Sequence, residues 1–64
     1  MNYSSTADEL VNRIKKLIPA NPEILEMSDP WKLFKINGFK CDDLQPSLFQ
    51  AGWALQKAKQ GFKN

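Results

Sequence analysis

Four prolines, at positions 19, 22, 30 and 46, decide where a long helix can run in this chain. Proline has no backbone N–H, and its ring clashes with the preceding turn, so helix interiors exclude it. Two stretches escape: the one before Pro19, and the one that runs from the turn holding Pro46 to the C-terminus.

In the first stretch, Ala7, Leu10, Val11, Ile14, Leu17 and Ile18 fall within an arc of roughly 120° at helical pitch. Thr6 reads as an N-cap, and Glu9 three positions on completes a capping box. The spacing predicts a helix over 7–18, stopped by Pro19, with residues 1–5 polar and disordered. In the last stretch, Leu44, Leu48, Ala51, Leu55, Ala58 and Phe62 form a narrow apolar stripe. With Asp43 as N-cap, Pro46 sits harmlessly in the first turn. Gly61 serves as C-cap, which predicts a helix over 44–60. The expected core is Leu48, Ala51 and Leu55 against Leu10, Ile14, Leu17 and Ile18.

Between these helices, Asn21-Pro22 has the form of an N-cap followed by proline at the first helical position. A short helix over 22–27 follows, ended by Ser28-Asp29-Pro30. The next segment has two readings. Asn37-Gly38 is the favoured pair for a type I′ hairpin turn, in which both central residues need φ > 0. A two-residue loop there puts Phe34, Ile36, Phe39 and Cys41 on one face, and Lys35 opposite Lys40 on the other. The whole chain then reads as one small α+β domain over 1–64, in the order α–α–β–β–α. Its two long helices pack together and the β-hairpin lies against one side. The alternative is an all-α fold with residues 30–37 helical.

Composition bears mainly on function. In these 64 residues, 42% apolar and 25% charged side chains are ordinary for a folded domain, which argues against a disordered tail, a collagen-like chain or a disulfide scaffold. Histidine is absent, and Cys41 is the single cysteine. That removes histidine-based triads, His-containing zinc sites and dithiol chemistry. The close carboxylate pairs, Asp42/Asp43 and Glu23/Glu26, read as caps and a solvated face rather than as acid–base machinery. The expectation is a non-enzymatic protein with no cofactor and no metal. A lone thiol and an N-terminal stretch without a basic or an apolar region fit the cytoplasm. The longest low-polarity run, Ala51–Leu55, is far below the roughly 20 residues of a membrane span.

Two sets of residues remain as candidate sites. Phe49 and Trp53 are four apart and stand opposite the apolar stripe of the last helix, with Gln56 one turn further on. An aromatic pair in that place suits a protein–protein interface, made with a regulatory partner or with a second copy in a homodimer. The alternative is a weak nucleic-acid-binding module. The net charge of +2 is small, and its candidate anion contacts are Arg13, Lys16, Lys35 and Lys40.

Overall fold

The computed structural model describes residues 3–63, with side chains described over 6–62. It is helical. Helix α1 spans Tyr3–Leu17, and helix α2 spans Leu48–Lys63. Between them lie two 3₁₀ helices, η1 over Pro22–Glu26 and η2 over Pro30–Lys35. There is no strand among the described residues. The α+β reading with its β-hairpin is therefore corrected, and the chain follows the all-helical alternative.

The hairpin fails at its turn. Phe39 N–H donates to the Ile36 carbonyl at 3.2 Å, so residues 36–39 do close a tight turn. Only Gly38, at φ +97°, is left-handed, while Asn37 keeps a negative φ. That is the pattern of a type II turn, which needs glycine at its third position, and not of the type I′ turn that joins paired strands. Lys35 and Lys40 consequently do not face each other across a ladder.

The residues before this turn satisfy a different period. A 3₁₀ helix repeats every three residues, so side chains at i and i+3 eclipse. In η2 that register turns Pro30, Leu33 and Ile36 inward: Leu33 is fully buried, Ile36 packs on the core, and Pro30 rests near Gly52 of α2. Trp31 and Phe34 share the second edge, and Lys32 and Lys35 the third. Asp29 caps the element by accepting from the Trp31 N–H at 3.0 Å. The same period in η1 points Ile24 and Met27 to the core. Asn21 precedes η1 as expected, but its side chain donates back to the Leu17 carbonyl and closes the end of α1.

The caps of the long helices also differ from expectation. α2 starts four residues later than predicted, because Ser47 and Gln50 form a reciprocal capping box. Ser47 Oγ accepts from the Gln50 N–H at 3.1 Å, and Gln50 Oε1 accepts from the Ser47 N–H at 2.9 Å. This closes two otherwise unpaired donors at once, and a start at Asp43 offers nothing comparable. α2 runs through Gly61, so that glycine is no C-cap. α1 begins at Tyr3, which places Thr6 inside the helix and buried rather than at its cap. It takes in part of the stretch expected to be disordered; Met1 and Asn2 lie outside the described residues.

The core joins Leu10 and Ile14 of α1 and Ile18 just past its end to Ala54, Leu55 and Ala58 of α2, with Ile24, Leu33 and Cys41 closing it. Ala51 is buried as well. Two expected core members differ: Leu17 is half-buried, and Leu48, now the first residue of α2, is exposed. The inward face of α2 is centred near Ala58 and Ala54, rotated from the stripe that Leu44, Leu48 and Phe62 suggested.

Two turn residues make opposite demands. Gln45 is the one non-glycine residue with positive φ, at +48°, among those described. A side chain there costs on the order of 1 kcal/mol. Gln45→Gly should raise stability in urea unfolding. Gly38→Ala should lower it by about 1 kcal/mol, although nothing lies within 4 Å of the added Cβ. Opposite signs confirm that backbone conformation sets both effects; equal signs would contradict the turn geometry.

Candidate functional site

α2 carries its smallest residues inward and its largest outward. At about 100° per residue, the centre of the buried Ala51/Ala54/Leu55/Ala58 face lies diametrically opposite Phe49, with Trp53 and Gln56 beside it. Phe49 is 84% exposed and Trp53 40%, and Gln56 is exposed too. The ammonium of Lys57 sits 5.5 Å from the centre of the Trp53 ring, a cation–π contact across one helical turn. The three residues singled out on this helix are thus brought to one solvent-facing side.

Gly52 lies between this side and the core. A Cβ added there would stand 3.7 Å from Pro30 Cγ, in ordinary contact. η2 thus meets α2 at the residue flanked by Phe49 and Trp53. The next residue of η2 is Trp31, 60% exposed, and its ring packs edge-on against Phe34 at 6.2 Å. Phe34 in turn lies 6.0 Å from Phe39. Sequence reasoning missed Trp31 and Phe34, because a helix of α pitch spreads Trp31, Leu33, Phe34 and Ile36 over several sides and a strand of period two puts Phe34 inside. The signal that finds them is the three-residue spacing of Pro30, Leu33 and Ile36. The exposed parts of these aromatic side chains amount to roughly 400 Å², taking about 150–250 Å² for each when whole. That is roughly a tenth of the 4443 Å² accessible surface, the size of the largest apolar patch on a typical monomer, which is often functional.

Three of the four candidate anion contacts fall elsewhere. Arg13, Lys16 and Lys40 line a shallow depression of about 300 Å³ with Leu17, Gly38 and Phe39. Lys35, at the end of η2, does not line it. Arg13 is committed inside the fold. It donates to both carboxylate oxygens of Asp43 at 2.9 and 2.8 Å, to Glu9 at 3.1 Å, and to the Lys40 carbonyl at 2.9 Å. This clamp ties the 40–43 segment to α1. It holds the Arg13 pKa above its ordinary value, chiefly through the Asp43 hydrogen bonds, and the Asp43 carboxyl below its own through the same bonds. Burial, with Asp42 adding to it, pushes the Cys41 thiol up, so it stays protonated near neutrality.

No group of three or more His, Cys, Asp or Glu side chains that could hold a metal occurs among the described residues. No described helix is long and apolar enough to cross a membrane. No protein-family model, curated protein or solved structure matches the chain.

The clamp makes a pH-dependent contribution. Because Arg13 lowers the Asp43 pKa, the stabilisation is present above the ordinary carboxylate range and is lost as pH falls through it. Thermal unfolding followed between pH 2 and pH 7 should show a shallower acid limb in Asp43→Asn than in the parent. An identical acid limb in both would contradict the clamp.

Proposed function

We propose that the protein is a non-enzymatic interaction module that binds a protein partner through the aromatic face of α2. Phe49, Trp53 and Gln56 form its centre, and Trp31 and Phe34 extend it along η2. The observation that carries the reading is the position of Phe49: a large apolar side chain 84% exposed, opposite the core face of its own helix. Fully burying such a side chain is worth about 1.5–3 kcal/mol, and a chain of this size has a total stability of roughly 3–10 kcal/mol. Leaving it in water gives up a sizeable stabilisation unless a partner covers it. Aromatic residues dominate the energetic centres of interfaces, ringed by polar groups such as Gln56 and the Lys57 head. A regulatory role in the cytoplasm accords with a buried, protonated single cysteine, which is stable in a reducing compartment.

The test separates folding from binding. Phe49→Ala should change folding stability by no more than about 0.5 kcal/mol, as exposed substitutions do. The same variant should lose about 2 kcal/mol or more of association, measured by sedimentation over a concentration series for a second copy and by capture from the source cell for another protein. A Phe49→Ala chain that unfolds much more readily than the parent, or one whose associations are unchanged, contradicts the reading.

A further inference from the structure

The two elements that carry the exposed aromatics are also the two without a single acid. η2 holds Lys32 and Lys35, and α2 holds Lys57, Lys59 and Lys63, while neither contains Asp or Glu. All seven acids lie elsewhere: Asp8 and Glu9 in α1, Glu23 and Glu26 in η1, and Asp29, Asp42 and Asp43 in the connections. Two of those, Glu9 and Asp43, are held by Arg13. Asp29 turns its carboxylate onto the Trp31 N–H. Lys59 is held inward by its bond to the Met27 carbonyl. That leaves Lys57 over the Trp53 ring, with Lys32 and Lys35 on the η2 edge next to that of Trp31 and Phe34, as the cations nearest the aromatics.

We infer that the partner of this face is an acidic amphipathic segment of another protein. Its apolar side chains would cover Phe49, Trp53 and Trp31, and its carboxylates would meet Lys57, Lys32 and Lys35. The inference rests on the interaction reading above and adds the chemistry of the occupant. Charge complementarity is the argument. A two-fold pairing of this face would bring two sets of lysines together with no acid from either element to offset them, and like charges across an interface are disfavoured. Single-stranded nucleic acid tracks a positively charged groove along its backbone, whereas the cations here are three and stand beside an apolar centre. An apolar centre with a cationic border suits a helix that lays its apolar side into the face and turns its acids to the rim.

The probe is a labelled synthetic peptide of about 18 residues, with Leu and Phe at i, i+3, i+4 and i+7 spacing and Glu at the remaining positions. Its counterpart carries Lys in place of every Glu. Fluorescence anisotropy should show the acidic peptide binding at least about tenfold more tightly than the basic one. Phe49→Ala should weaken the acidic peptide at least about tenfold, and Lys57→Glu should weaken it several-fold. Lys16→Glu, on α1 and away from the face, should leave binding unchanged. If the two peptides bind equally and both depend on Phe49, the acidic partner is overturned while the interaction face stands. If neither peptide binds, or if binding ignores Phe49, both readings fall. Tighter Phe49-dependent binding of an oligothymidylate of about 20 nucleotides or of anionic phospholipid vesicles also overturns the assignment to a protein partner.

Discussion

The structure depends on the contact between α1 and the alanine face of α2. Ala51, Ala54 and Ala58 are all buried, and the bulk of the interior comes from Leu10 and Ile14 of α1 and the adjoining Ile18, with Leu55, Ile24 and Leu33. Small residues bring the two helix surfaces together with few large side chains between them. The geometry leaves room for little else. An aromatic ring turned inward from α2 would overfill the space, and overpacking typically costs about 1–3 kcal/mol. Phe49 and Trp53 therefore face outward because of how the inner face is built. η2 has the same division, with Pro30 and Leu33 inside and Trp31 outside.

Both long helices were legible from apolar spacing, since a 3.6-residue period sustained over four turns has few competitors. The connection was not legible. Pro30 to Ile36 is too short to fix its period, and Phe34, Ile36, Phe39 and Cys41 match a period of two as well as Pro30, Leu33 and Ile36 match a period of three. Asn37-Gly38 then weighed in favour of the hairpin. Yet one left-handed glycine serves a type II turn equally well, and only the conformation of Asn37 separates the two. The start of α2 was a similar contest. Asp43 is a good cap by residue type, but it was claimed by Arg13 across 30 positions of sequence, a pairing no local pattern contains. Ser47 and Gln50 carried the capping-box spacing in plain view.

The site was legible in part for the same reasons. Phe49, Trp53 and Gln56 follow from helical geometry alone, and a rotation of the core face by part of a turn leaves them exposed. Trp31 and Phe34 lie in the segment of ambiguous period, and the period-two reading turned Phe34 inward. Arg13, chosen for its charge, belongs to the scaffold. By fixing the 40–43 segment to α1 it braces the chain between η2 and α2, the elements whose outer edges carry the aromatics. The fold and the proposed binding face thus draw on different residues: small ones and a partly exposed clamp for the first, large exposed rings for the second. That division lets the face change with little effect on the core.

The central claim is that this chain folds with Trp31 mostly exposed and Trp53 partly so, neither of them in the core. Acrylamide quenching of the intrinsic fluorescence of Trp31 and Trp53, at a concentration low enough to exclude association, tests it most directly. The structure predicts native emission to the red of a buried tryptophan and a quenching constant between that of a buried ring and that of the chain in urea. Blue-shifted native emission with strong protection from quencher would show the rings buried within the monomer, and would contradict the account.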